Sequence, residues 1–421
     1  MLGNKEKSKR KKAPKHGMSD VSKLLIVIVL VVTIVAAGVG LSVWQFKADR
    51  PAEKVDAKPD VKILDNAAER IKEKFEDNTE EKSEEYKSEG SLSVEETQKT
   101  VGFINAGPNQ YYVQFSDAFT ALAKEYDIEV IEANSNYDID KDLSHVREMI
   151  EREVDAIAVI TAAASGSADS ISLANEAGIP IFFIAGKPYL NPGSDLTGHV
   201  TDNFFMMGYM AGQWVAENYP DAKCVQIPGY FGQGPAEGEM LGFDLALKEA
   251  GMSPSIVLDS GEWQREVARL VVQELEDSGY KYDVIFAANE EMAKGVIDVL
   301  GEDSGKVIVS CNGKDDAWDF LADGTLSATV PNPPNLNADL CLQQIIRYFN
   351  DEAFIQYLQI KPMGVLTSEN LDQAIPWILE DYLDGRRKDE FMWKLSDYER
   401  RYLREENIFE EFDRLIKDYF S

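Results

Sequence analysis

A chain of 421 residues, 44% of them hydrophobic, has room for two to three domains of roughly 150 residues each and for a sizeable core, which excludes disorder throughout. Its formal net charge of -31 excludes general affinity for nucleic acid or anionic lipid, because phosphate binding needs clustered Lys and Arg. The charge is uneven. Residues 1–23 carry eight basic side chains against Glu6 and Asp20, a net of +6 that leaves -37 for the rest.

The first element in chain order is the uncharged run Leu24–Trp44, LLIVIVLVVTIVAAGVGLSVW. At about 1.5 Å rise per residue it is long enough to cross a hydrocarbon layer of roughly 30 Å. It reads as one transmembrane helix ending in an interfacial Trp, with the basic tail, residues 1–23, held in the cytoplasm and everything from Lys47 onward outside. The alternative is a cleaved signal peptide, with Ala36, Ala37, Gly38 and Gly40 as the small residues, although an apolar stretch of that kind is typically about 7 to 15 residues. Residues 45–99 follow as a stalk rich in Lys, Glu, Asp and Ser, too poor in large apolar groups to offset the entropy of ordering.

From Thr100 short apolar runs alternate with amphipathic stretches. VGFI at 101–104, IEVIEA at 128–133, AIAVI at 156–160, IPIFFI at 179–184, DVIFAA at 283–288 and KVIVSC at 306–311 are separated by segments such as FSDAFTALAKEY and EVARLVVQELEDSGY. The alternation predicts parallel sheets covered by helices, in more units than one domain holds. The fold expected is therefore α/β: two doubly wound parallel-sheet lobes with a hinge and an interlobe cleft, preceded by the transmembrane helix.

Motifs for catalysis are missing from the sequence. Gly232, Gly234 and Gly238 do not have the spacing of a dinucleotide fingerprint, and no phosphate-binding GxxxxGK[ST] or GxSxG elbow occurs. The three cysteines, Cys224, Cys311 and Cys341, sit in apolar surroundings without paired spacing and read as buried free thiols. His16, His145 and His199 have no metal-ligand spacing. Neither an enzyme nor a cofactor nor a metal is expected.

Several ordered segments carry a family resemblance: NAGPNQYYVQFSDAF at 105–119, VDAIAVITAAASGSADSISLANEAGIPIFFI at 154–184, VTDNFFMMGYMAGQWV at 200–215, FAANEEMAKGVI at 286–297 and LSATVPNPP at 326–334. From Thr100 to about Leu371 the chain resembles the ribose-binding-protein branch of the type 1 periplasmic binding proteins. The resemblance implies a binding-protein domain over 100–378, with lobe 1 at about 100–201 and 333–362 and lobe 2 at about 202–332 and 363–378. It also implies a ligand held between lobes. The residues matching the family's ligand contacts are Asn105, Asn109, Tyr111 and Tyr112 after the first strand, and Trp263, Asn289, Asn312 and Asn332 from the second lobe. Aromatic rings stack on a sugar's apolar face while amides supply paired donors and acceptors. Three positions depart from the family. Ala185, Gly186 and Lys187 replace a hydroxyl-gripping Asp-Arg pair, Glu239 stands in place of a cleft Arg, and Asn312 replaces a strand-end Asp. If Glu239 faces the cleft, its charge favours a ligand with a cationic or hydrogen-bond-donating group, while Lys187 either pairs with Glu239 or sits outside the site.

The function so implied is a membrane-anchored extracytoplasmic solute-binding protein. It captures a small polar, sugar-like ligand by cleft closure for an ABC-type transporter permease. The alternatives are a ligand-sensing subunit that presents its closed form to a signalling partner, and a structural envelope protein. Residues 379–421 lie beyond the resemblance. Phe391, Leu395, Tyr398 and Tyr402, then Phe409, Phe412, Ile416 and Tyr419, recur at helical spacing, predicting a helical extension that either packs back on the receptor or docks a partner.

Overall fold

The computed structural model describes residues 98–161, 166–186, 188–232, 234–360, 362, 364–388 and 399–401. The expected basic tail, the apolar run at 24–44 and nearly all of the stalk lie outside them. Among the described residues no helix is long and apolar enough to cross a membrane.

The first lobe is built from β1 (Lys99–Asn105), α1 (Gln110–Glu125), β2 (Ile128–Asn134), α2 (Ile139–Glu151), β3 (Ala156–Ile160), α3 (Ser167–Ala177), β4 (Ile181–Ile184) and β5 (Gly198–Asp202). β3 and β4 are buried on both faces, which is why they read as unbroken apolar runs rather than alternating ones. Helix α1 begins where the Asn109 side chain accepts from the Tyr111 and Tyr112 amides. It turns Phe115, Phe119 and Leu122 onto the sheet.

The chain then enters the second lobe: α4 (Phe204–Asn218), β6 (Cys224–Ile227), α5 (Pro235–Glu249), β7 (Ile256–Val257), α6 (Arg265–Ser278), β8 (Val284–Ala287), α7 (Glu290–Leu300), β9 (Val307–Asn312), α8 (Trp318–Asp323) and β10 (Ala328–Pro331). It returns to the first lobe as α9 (Pro334–Phe349) and β11 (Tyr357–Ile360), and the last described elements are α10 (Leu379–Lys388) and β12 (Glu399–Arg401). The two sheets are β12-β11-β5-β4-β3-β1-β2 and β10-β9-β8-β6-β7. All pairings are parallel except the terminal β12 on β11.

Each sheet separates two apolar layers. In the second lobe Val225, Ile285 and Ile308 face α6 and α7, while Cys224, Val284, Phe286 and Val309 face α4 and α5. Helix α5 is buried on all sides from Ala236 to Leu247, because α4 covers the side turned away from the sheet. The two helices approach to backbone contact: a Cβ on Gly208 would lie 1.9 Å from the Glu239 carbonyl oxygen, and one on Gly242 would lie 2.0 Å from that of Phe205. Only glycine fits at such a crossing.

Three crossings join the lobes, at Asp202–Asn203, at Asn332–Pro333 and between Ile360 and Leu366, which pairs with Thr329 of β10. The strands they leave, β5, β10 and β11, all leave by their carboxyl ends, so the carboxyl edges of both sheets meet at the hinge. A fourth crossing follows. Leu371 packs on the second lobe's core, and the Asp315 carboxylate of that lobe accepts from the backbone N–H groups of Trp377 (2.7 Å) and Ile378 (2.9 Å). On the other side Asn335 Nδ2 donates to the Pro376 and Trp377 carbonyls (3.1 and 2.9 Å), and Leu379, Tyr382 and Leu383 pack on the first lobe's core. The expected helical extension is thus helical over Leu379–Lys388 but extended at Glu399–Arg401, where the open edge of β11 supplies ladder partners. Its other residues lie outside the described ones. Cys224, Cys311 and Cys341 are buried free thiols.

Candidate functional site

In an open parallel sheet the crevice for a ligand lies beyond the carboxyl ends of the strands, where the strand order reverses. In the first sheet that point falls between β1 and β3, and in the second between β6 and β8. The segments leaving those strands begin at Asn105 and Thr161 in one lobe, and at Pro228 and Ala288 in the other.

In the first lobe, Asn105 ends β1 with its Nδ2 donating to the Tyr112 carbonyl (2.9 Å) and its Oδ1 buried without a partner. Tyr111 and Tyr112 open α1 and meet edge to face at 5.9 Å, and Tyr137 stands 6.4 Å beyond Tyr112. The Asn109 Oδ1 is committed to capping α1 (2.8 Å to Tyr111 N, 3.3 Å to Tyr112 N), which leaves only its amide nitrogen for anything else. At the end of β4, Ala185 has φ 60°. Buried His199 Nε2 lies 3.1 and 3.0 Å from the Ala185 and Gly186 carbonyls, and burial lowers the imidazole to about 4, so the ring is neutral and donates to them. Lys187 lies outside the described residues.

In the second lobe, Trp263 is half-buried with φ 62°, its indole lying where a Cβ on Gly229 would stand. Asn289 caps α7 through Oδ1 (2.8 Å to Met292 N), and its Nδ2 donates to the Trp263 carbonyl (3.4 Å). Asn312 ends β9 at φ 100°. Trp263, Asn312 and Ala185 are thus three non-glycine residues in left-handed backbone beside the strand ends, as strained conformations tend to cluster at ligand clamps.

At the hinge the structure assembles a cluster that sequence reasoning missed apart from two members. Asn337 Nδ2 lies 2.8 Å from the Tyr111 hydroxyl, 2.6 Å from Asn332 Oδ1 and 3.1 Å from each Asp202 carboxylate oxygen. Asp202 is 7% exposed, and burial lifts its carboxyl to about 7 although hydrogen bonds from Asn337, Asn332 and Tyr111 pull the other way. Beside it a cavity of about 10 Å³, lined by Met207, Pro331, Leu336 and Ile360, has room for about one water molecule. A space that small belongs to the hinge and cannot hold a sugar. The only trace of the cluster in the sequence is the run of asparagines at 332, 335 and 337 around the start of α9.

Glu239 and Glu290 approach each other at the carboxyl edge of the second sheet, and burial together with each other's charge raises Glu239 well above the usual carboxylate range. Glu290, held at about 7 mainly by burial, accepts from Gly313 N (2.6 Å), Thr329 Oγ1 (2.5 Å) and Ser310 Oγ (3.2 Å). The nearby cations are committed elsewhere: Lys294 bridges Glu291 and Asp316 (3.0 and 2.6 Å), and Lys314 pairs with the same two acids.

Two parallel-sheet lobes, joined by crossing segments with their carboxyl edges turned to one hinge, define a bilobal small-molecule-binding protein. The comparisons agree on the lineage. The family model for the periplasmic binding protein domain matches residues 101–353, and the chain belongs to that family, in its type 1, ribose-binding-like branch. It is 27% identical over 252 residues to the fructose import binding protein of Bifidobacterium longum, covering 56% of this chain and 75% of that protein. It is 26% identical over 239 residues to the ribose import binding protein of Bacillus subtilis, covering 56% and 76%. An ABC transporter solute binding protein from Bacillus halodurans, solved with myo-inositol, shares the fold with TM-score 0.60 at 21% identity, over 67% of this chain and 98% of that one.

Proposed function

We propose that this chain is an extracytoplasmic solute receptor that closes its two lobes on a small polar ligand of the sugar or polyol class and hands it to an ABC-type transporter, anchored by the apolar run at 24–44. The observation that carries the reading is the pair of strand-order reversals, one per lobe, with both carboxyl edges at a single hinge. A ligand touching both lobes there favours the closed arrangement by its extra contacts. The relatives named for import of fructose and ribose support the substrate class and the transport role. They are binding proteins by name, which accords with the lack of catalytic motifs. In this reading Tyr112 and Trp263 stack on the ligand ring from opposite lobes. Asn105, Asn312, the Nδ2 of Asn109 and the Lys187 ammonium meet its polar groups. Tyr111, Asn332 and Asn289 hold the walls.

The test uses the full-length chain in detergent and measures thermal stability with D-ribose, D-fructose, D-allose, L-arabinose, myo-inositol and xylitol, together with their amino derivatives. A ligand at about 100 times its dissociation constant raises stability by roughly 2.7 kcal/mol. A shift with one class that Trp263→Ala reduces at least tenfold in affinity is the expected result. A folded protein that no member of the panel stabilises overturns the reading in favour of a structural envelope role. Binding that persists in cells lacking any transporter response, with a change in a kinase output instead, moves it to sensing.

A further inference from the structure

Buried acids in this fold are hydrogen-bonded almost without exception. Asp142 accepts from Thr161, Asp244 from Ser255, Asp339 from Gln343 and Tyr382, and Glu237 from Gly232 and Gly234. Glu239 departs from the pattern. It is 2% exposed, its Oε2 is buried without a partner, and no side-chain hydrogen bond or ion pair holds it among the described residues. Glu290, 1% exposed, turns one oxygen to three donors and leaves Oε2 buried and unpartnered. The two reach the carboxyl edge of β8–β10 from opposite faces of the sheet, one on α5 and the other on α7.

Taking a carboxylate out of water without a partner costs several kcal/mol, and evolution ordinarily removes such a group or pairs it. Here the crossing at Gly208 packs against the Glu239 backbone, and the carboxyl it carries lies inside the protein at 2% exposure. What the pair lacks is a donor. A metal ion is a poor match, since no group of three or more His, Cys, Asp or Glu among the described residues is arranged to hold one. An alkylammonium fits better: three N–H donors and one positive charge answer two unpartnered oxygens on two acids, with charge-assisted bonds roughly twice as strong as neutral ones. We infer that the ligand is an amino sugar or amino polyol whose protonated amine seats on Glu239 and Glu290. The inference rests on the solute-receptor reading and narrows its substrate class.

The titratable groups that act on or are acted on by Glu239 are Glu290 from α7, Asp202 from the hinge and Cys311 from β9, and α4 brings Gly208 against its backbone. Among the described residues none of these is basic, so an ammonium arriving there drives a proton off the carboxyl pair, and binding tightens as pH rises for as long as the amine itself stays protonated. A neutral hydroxyl accepting from a protonated Glu239 has the opposite slope.

The experiment is isothermal titration of the full-length chain in detergent with matched pairs: D-glucosamine and D-glucose, 1-amino-1-deoxy-D-fructose and D-fructose, scyllo-inosamine and scyllo-inositol. The expected result is that in at least one pair the amine binds about tenfold or more tightly, with affinity rising from pH 5 to pH 7, where the amine stays protonated, and a proton released in buffers of different ionisation heat. Glu239→Gln abolishes the preference, and Glu290→Gln is the second variant should the first fail to fold. Neutral members binding as tightly as their amines overturn the inference and leave the receptor intact. Binding by no member of any pair, or of the wider panel, removes both.

Discussion

Burial holds the Asp202 carboxyl at about 7 in the folded chain against 3.8 for the free group, and Glu290 is raised in the same way. Between those limits the folded state binds more protons than the unfolded one. The stability tied to these groups is therefore complete below the unfolded value and is lost as pH rises through about 7. His199 acts in the opposite sense: lowered from 6.5 to about 4, it supports the fold above its unfolded value, and that support is lost as pH falls toward 4. Two acids outweigh one histidine where their ranges overlap, so these groups together should make the melting temperature fall as pH rises from about 4.5 to about 7. Asp202→Asn should flatten the decline between about pH 4 and pH 7, as differential scanning calorimetry across that range would read. An unchanged slope would mean that Asp202 does not titrate there. At this scale the sequence was only partly legible. Asn109 and Asn289 offer their side-chain oxygens to helix caps, a use that any Asn before a helix invites. Asn337, the centre of the hinge cluster, stands 135 positions from Asp202 and 226 from Tyr111. Nothing local in its neighbourhood signals those partners.

The α4–α5 pair illustrates how an element can be pinned by absent side chains. Gly208 and Gly212 on one helix and Gly238 and Gly242 on the other recur every fourth position, so each helix offers its partner a bare strip. Gly242→Ala should cost about 1–3 kcal/mol, since its Cβ would stand 2.0 Å from the Phe205 carbonyl oxygen and no backbone there can yield cheaply. Chemical denaturation gives that loss directly, and weaker ligand binding should accompany it because Glu239 rides on the same helix. The parallel strands were the most legible elements, because sheets buried on both faces leave unbroken apolar runs. The strand at Glu399–Arg401 was not, because its pairing depends on an edge about forty positions earlier in the chain. Three residues carry too little pattern to outweigh the helical spacing of the aromatics around them.

At the scale of the whole molecule the two-lobed plan could be read in the alternation of strands and helices, whereas the fourth crossing could not. Its polar anchors are the Asp315 carboxylate, which accepts from two backbone N–H groups on one side, and the Asn335 amide, which donates to two carbonyls on the other. Asp315→Ala should speed hydrogen exchange at Trp377 and Ile378 by at least about tenfold, while the core strands exchange as before. Exchange unchanged at those amides would mean that this link opens and closes without restraint. Three crossings alone would leave the lobes free to swing about one axis. A further strand of chain fastened across that axis works like the stay on a window, fixing how far the sash travels rather than whether it moves. The apparent dissociation constant of such a receptor is its intrinsic value divided by the fraction already in the binding-competent arrangement. Substitutions at Asp315 or Asn335 can therefore retune sensitivity to solute while every ligand-facing side chain stays the same, giving the organism a way to match one pocket to richer or poorer surroundings.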